Sequence, residues 1–153
     1  MEVRFIDSNI FYYHLVQDKT YGPNATGIIG RVRDGEPAAT SVIVVSELMS
    51  LFEFRILQIH RRDDLSSAQK ALLIKRFESA MSSFYDLITS LVHLDKLGCA
   101  WDEALEAFVH MLDYGLDFND ALNVAVMKRN NIQSLYSLDK AFDRVPWLKR
   151  RSG

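Results

Sequence analysis

The chain has 153 residues, 48% of them hydrophobic and 25% charged, with a formal net charge of −2. That length predicts one domain over residues 1–153, and that apolar content excludes a disordered chain. The single cysteine, Cys99, excludes an intramolecular disulfide, and no run approaches the roughly 18 uninterrupted apolar residues of a membrane span.

The N-terminus moves straight into Glu2, Arg4 and Asp7, unlike the apolar core of a signal peptide. A cytoplasmic protein without membrane contact is therefore expected. Charge is unevenly placed. Residues 1–127 hold 11 basic and 18 acidic side chains, a net of −7. Residues 128–153 hold 7 basic and 2 acidic, a net of +5. Such a basic end suits a polyanionic partner, although a solvated terminus would look the same.

Val3 to Ile6 is strand-like and ends at Asp7. Ser8 or Asn9 can then cap a helix whose apolar residues include Ile10, Phe11 and Leu15. Tyr21-Gly22-Pro23-Asn24 punctuates the chain, and a short helix follows up to Asp34-Gly35. Pro37 to Thr40 predicts a short strand. From Val42 to about His60, the apolar residues Val44, Val45, Leu48, Phe52, Ile56 and Ile59 give helical steps of 3 and 4. Arg61-Arg62-Asp63-Asp64 is a polar break, and Ser66-Ser67-Ala68-Gln69 has the Ser-x-x-Gln pattern of a capping box.

Ile74, Phe77, Met81 and Phe84 continue that helix on one face. The run Leu87 to Leu94 predicts a strand near Ser90–Leu94. Ala104, Leu105, Phe108, Met111 and Leu112 define an amphipathic helix with a stop at Gly115. Another helix spans about Phe118 to Arg129, residues 132–138 look like a strand, and the basic tail follows. Short strands alternating with longer helices predict an α/β fold, a three-layer α/β/α sandwich around a mainly parallel sheet. Ligand sites in such sheets lie outside the carboxyl ends of strands, where Asp7 and Asp139 fall.

Four acids stand where apolar structure gives way to loop or helix: Asp7, Glu47, Asp120 and Asp139. Carboxylates near a core are costly unless a cation offsets them. Gathered by folding, they would make an oxygen-rich site for Mg²⁺ or Mn²⁺. Each also has a plain reading. Asp7 could be a strand-end turn residue, and Glu47 a solvent-facing helix residue. Asp117 could cap a helix with Asp120 in its first turn, and Asp139 and Asp143 could belong to a polar turn.

Competing chemistries are weaker. His14, His60, His93 and His110 lack zinc-binding spacing, and Cys99 has no local histidine partner. No glycine-rich phosphate loop is present. The aromatic residues follow helical or strand faces and read mainly as core.

The segment Phe5-Ile6-Asp7-Ser8-Asn9-Ile10-Phe11 resembles the opening motif of PIN-domain nucleases. Thr40-Ser41-Val42-Ile43-Val44-Val45-Ser46-Glu47-Leu48 resembles their second motif, Gly115-Leu116-Asp117-Phe118-Asn119-Asp120-Ala121-Leu122 their third, and Ser137-Leu138-Asp139-Lys140-Ala141-Phe142 their fourth. The small size is most similar to VapC-type toxins and their stand-alone relatives. The resemblance implies an endoribonuclease dependent on Mg²⁺ or Mn²⁺, with Asp7, Glu47, Asp120 and Asp139 as catalytic metal ligands. It gives Asn9 and Ser137 an ordering role, with Asp117 and Asp143 as supplementary acids. It also implies a homodimer and, for a toxin, a small antitoxin partner. Lys128, Arg129, Lys140 and Arg144, with Lys149, Arg150 and Arg151, are candidate RNA phosphate contacts. The alternative is a non-catalytic PIN-like module that binds a protein or RNA. Residues 61–90 depart from the compact family pattern.

Overall fold

The computed structural model describes residues 2–59 and 65–153. His60 and the polar break Arg61-Arg62-Asp63-Asp64 lie outside the described residues. Five strands form one sheet: β1 (Arg4–Ile6), β2 (Ala38–Ser41), β3 (Leu94–Leu97), β4 (Ser134–Tyr136) and β5 (Lys149–Arg151). Their spatial order is β3-β2-β1-β4-β5, and every pairing is parallel. Among the described residues, seven helices flank the sheet: α1 (Ser8–Leu15), α2 (Gly22–Arg33), α3 (Val42–Ile59), α4 (Ser67–Arg76), α5 (Glu78–Ser90), α6 (Trp101–Tyr114) and α7 (Phe118–Arg129). This is the α/β sandwich expected from the alternation of elements.

Phe5, Ile6, Ala38, Ala39, Leu135 and Tyr136 are buried in the three inner strands, as a parallel sheet covered on both faces requires. The helices meet them with Ile10, Phe11, Ile28, Ile29, Val32, Val124, Val126 and Met127. The two edge strands are charged, with Asp95 and Lys96 on β3 and Lys149, Arg150 and Arg151 on β5. Charge on an edge disfavours pairing with another chain. The chain steps from β1 to β2 to β3 in one direction, then returns to place β4 on the other side of β1. The order therefore reverses between β1 and β4, where a crevice opens at the strands' carboxyl ends.

Several elements depart from expectation. Asp7 itself, rather than Ser8 or Asn9, caps α1 by accepting from the Ser8 N–H. Gly22 and Pro23 open α2 instead of preceding it, because proline fits the first helical turn. The Ser66–Gln69 capping box forms, but its helix breaks at Phe77, and α5 continues to Ser90. The expected strand near Ser90–Leu94 is displaced to Leu94–Leu97. The basic tail is not loose, because Lys149–Arg151 joins the sheet beside β4.

Gly115 ends α6 with φ +63, and a Cβ added there would stand 3.3 Å from Nη1 of Arg144. Gly115→Ala is expected to destabilise the fold by about 1 kcal/mol. In a thermal melt that corresponds to a fall of about 2–4 °C.

Candidate active site

Asp7 leaves the central strand β1 while its backbone N–H still reaches the Tyr136 carbonyl of β4 at 3.1 Å. The residue is only 3% exposed. Oδ1 accepts from the Ser8 N–H at 2.7 Å. Oδ2 accepts from Nδ2 of Asn9 at 2.7 Å and from the Ser137 hydroxyl at 2.6 Å. Asn9 also donates to Oγ of Ser137 at 3.0 Å, and its Oδ1 accepts from the Leu138 N–H at 3.2 Å. The Asp139 N–H donates to Ser137 Oγ at 3.0 Å. Asn9 and Ser137 thus lock the end of β1 to the loop after β4 and fix Asp7 between them.

Glu47 arrives from β2 through α3, which starts directly after the strand. Ser41 makes that abrupt start possible by accepting from the Val44 N–H at 3.2 Å. Its hydroxyl also donates to Oδ1 of Asn123 at 2.6 Å, tying α3 to α7. Asp117 caps α7 by accepting from the Asp120 N–H at 2.9 Å, which sets Asp120 in the first turn. Asp139 caps the 3₁₀ turn Lys140–Arg144 by accepting from the Ala141 N–H at 2.8 Å. The cap reading of Asp117 and the turn reading of Asp139 are therefore correct descriptions of local structure. They do not remove either residue from the cleft.

Asp7, Glu47, Asp117, Asp120 and Asp139 line one cleft of about 360 Å³ with Ser8, Asn9, Ser50 and Asn119. Among the described residues no lysine or arginine lines it. The consequence is that Asp7, Glu47 and Asp120 are reluctant to ionise. Asp120 is pushed up to about 8, first by burial, then by Asp117, Asp7, Glu47 and Asp139. Glu47 is pushed up to about 7, again by burial first and then by Asp7, with Ser8 and Asn123 tempering the rise. Burial also raises Asp7, against the donors from Ser137 and Ser8.

The donor set fits a divalent cation. All its charged groups are oxygen ligands, and Oε2 of Glu47 is buried without a hydrogen-bond partner. Among the described residues, no group of three or more His, Cys, Asp or Glu side chains stands ready to hold a metal ion. An open arrangement of carboxylates suits Mg²⁺ or Mn²⁺, which use oxygen ligands and, for Mg²⁺, retain several waters.

The other expected site residues divide. Asp143 does not line the cleft. Arg150 grips it with two hydrogen bonds of 2.8 and 2.9 Å and holds its carboxyl below the usual range. Lys128 pairs with Glu106, and Arg129 pairs with Glu103 at 2.6 Å. Lys128 also lies eight residues along α7 from Asp120, about 12 Å at the helical rise. Arg144 folds back to donate to the Ala141 carbonyl at 3.2 Å. Lys140 stands exposed beside Asp139 and joins no ion pair among the described residues. Asn123 was not expected. It is fully buried beside Ser41, with its Nδ2 unpartnered. Its spacing three residues after Asp120, on an otherwise apolar stretch, was the available signal.

The model of the PIN domain family matches residues 4–148. No curated protein matches the chain. Among solved structures, VapC20 of Mycobacterium tuberculosis, a toxin that cleaves the sarcin–ricin loop, aligns with a TM-score of 0.66 at 18% identity, covering 98% of this chain and 99% of that one. VapBC2 of Rickettsia felis, bound to a promoter DNA fragment, aligns at 0.58 and 17% identity, covering 97% of each chain. A toxin–antitoxin complex of Klebsiella pneumoniae aligns at 0.55 and 18% identity, covering 95% of this chain and 94% of that one. At these identities the likeness is one of fold. The family match spans nearly the whole chain, and the protein belongs to the PIN domain family.

Proposed function

We propose that this protein is an endoribonuclease dependent on Mg²⁺ or Mn²⁺, with Asp7, Glu47, Asp120 and Asp139 holding the ion or ions. The observation that carries this reading is their convergence on one cleft at the switch point of the sheet, uncompensated by any lysine or arginine among the described residues. Membership of the PIN domain family supports nuclease chemistry. A bound divalent ion would supply activation of water and stabilisation of charge at a phosphodiester. The chain's own residues position that chemistry. Asn9 and Ser137 orient Asp7, Asp117 sets the start of α7, and Lys140 offers a cation to an adjacent phosphate.

The neighbours in fold include toxins solved with their antitoxins, which supports a toxin role and a protein partner here. An exposed apolar stripe on α6, formed by Trp101, Leu105, Phe108 and Leu112, supports a homodimer. We read residues 1–153 as one domain acting in the cytoplasm. In support, a single sheet runs through the described residues, and no helix among them is long and apolar enough to cross a membrane.

The purified protein is expected to cut RNA with Mg²⁺ or Mn²⁺ and to stop in EDTA, and Asp7→Asn should abolish cutting. Undiminished cleavage in EDTA, or in that variant, would overturn the mechanism. RNA binding indifferent to metal, with no RNA cut, would instead establish a non-catalytic binding module.

A further inference from the structure

A second cavity of about 530 Å³ adjoins the acidic cleft and shares Asn9 and Asp139 with it. Its character is different. Tyr13 and Tyr21 form one wall, Leu138 adds apolar surface, and Lys140 and Arg150 supply positive charge. The two tyrosine rings stand 5.0 Å apart between centroids at 46°. Tyr21 is 45% exposed, so part of an aromatic surface is open to solvent.

The loop carrying Tyr21 is held firmly. Oδ1 of Asp18 accepts from the N–H groups of both Thr20 and Tyr21 at 2.8 Å. The Asp18 carbonyl accepts from the Gly22 N–H at 2.9 Å. Gly22 is packed so closely that an added Cβ would meet the Tyr13 carbonyl oxygen at 3.3 Å. The backbone that carries Tyr21 is thus held in place, and its ring packs against that of Tyr13.

We propose that this cavity takes one unpaired nucleobase of the RNA strand, next to the phosphate bound in the acidic cleft. The inference rests on the nuclease reading and adds to it a residue, Tyr21, that seats a base beside the cut. The base stacks on Tyr21, and Lys140 faces the neighbouring phosphate. A base can enter only when it is free of a duplex. Recognition here is by stacking rather than by sequence. Both donors of the Asn9 carboxamide are taken by Asp7 and Ser137, and three of the five N–H groups of Arg150 are taken by Asp143 and the Ser137 carbonyl. Few fixed donors are left to read base edges, whereas every base offers a π-face to Tyr21.

The test begins with the shortest RNA oligonucleotide that the wild-type protein cuts at one place. An abasic ribose is moved through it one position at a time. One position beside the cut should lower kcat/KM by about 5- to 150-fold, the range of one lost stacking interaction. Tyr21→Ala should cut the intact RNA more slowly by a similar factor and be indifferent to the abasic substitution at that position. Tyr21→Phe should behave as wild type, and Tyr21→Leu, which keeps bulk without the ring, should behave as Tyr21→Ala. Changing which base occupies that position should alter the wild-type rate little.

A second arm measures binding of fluorescein-labelled random RNA decamers to the Asp7→Asn protein, with and without Tyr21→Ala. Cleavage with no Tyr21-dependent abasic position overturns the subsite and leaves the nuclease reading intact. Tyr21-dependent binding without cleavage keeps the subsite and removes the nuclease reading. Loss of a protein partner's binding in Tyr21→Ala, with RNA binding and cleavage unchanged, overturns the subsite as well.

Discussion

Asp120→Asn is expected to lower RNA cleavage by on the order of 10³-fold while raising the melting temperature of the metal-free protein. The two effects have one cause. Asp120 is 9% exposed, and its carboxyl faces Asp117, Asp7, Glu47 and Asp139. In the absence of an ion, its ionisation is opposed by burial and by like charges. An asparagine of the same shape removes that repulsion. It also leaves the α7 cap intact, because Asp117 accepts from the backbone N–H of residue 120 and not from its side chain. At pH 8 the metal-free variant should therefore melt several degrees higher than wild type, at about 2–4 °C per kcal/mol for a chain of this size. The same carboxamide removes a charged oxygen from the proposed ion site, so the rise in melting temperature on adding Mn²⁺ should shrink or vanish. Calorimetry of both proteins in EDTA and in Mn²⁺, with RNA cleavage assayed in parallel, reads all three quantities. A lower melting temperature in EDTA together with retained cleavage would remove Asp120 from the acidic cluster.

The junction positions of these acids were visible in the amino-acid sequence because each is local. Asp7 and Asp139 follow short apolar runs, and Asp120 opens a helix, so their junction positions can be read one segment at a time. The capping box at Ser66–Gln69 and the stop at Gly115 are similarly local, and both formed. What escaped was settled by distant partners. Lys128 and Arg129 were read as candidate phosphate contacts, and they pair with Glu106 and Glu103 on α6, across the α6–α7 contact. Asp143 looked like a spare acid until the tail folded into β5 and brought Arg150 against it.

The α6 helix shows a different limit. Its apolar periodicity is real, but Leu105, Phe108 and Leu112 point outward while Glu103, Ala107 and His110 are buried. Periodicity locates an apolar face without saying whether it meets the chain's own core or another molecule. Glu103 can occupy the inner face because it accepts from both Arg129 and the Ala100 N–H. For β3, exposed Asp95 and Lys96 erase the alternation that marks a strand, and the apolar run before it belongs to the end of α5. An edge strand of this kind is specified by its neighbour β2 more than by its own residues.

The stabilisation that Mn²⁺ gives the protein is expected to be near zero at pH 5 and large at pH 8. Unfolded carboxyls titrate near 4, whereas the fold pushes Glu47 up to about 7 and Asp120 up to about 8. Folded values above the unfolded ones mean that the fold favours the protonated forms. Their contribution to stability is complete below about pH 4 and is lost as pH rises to about 8. The metal-free protein is thus weakened by these groups across that window. An ion takes the ionised forms, so binding must displace protons at the low end. With about two protons released, apparent affinity should climb on the order of 100-fold per pH unit below pH 7, then flatten above about pH 8. Other groups pull in different directions. Burial holds His14 and His110 below their ordinary range, which strengthens the fold as pH rises through 6.5. Glu103 and Asp143, lowered by their arginine partners, finish titrating at more acid pH. None of these lines the cleft, so their effects cancel in the difference between melts in Mn²⁺ and in EDTA. That difference, measured from pH 5 to pH 8, should rise steeply for wild type and stay shallow for Asp120→Asn. A difference independent of pH would mean that the acidic cluster binds no ion, and the proposed metal site would fall with it.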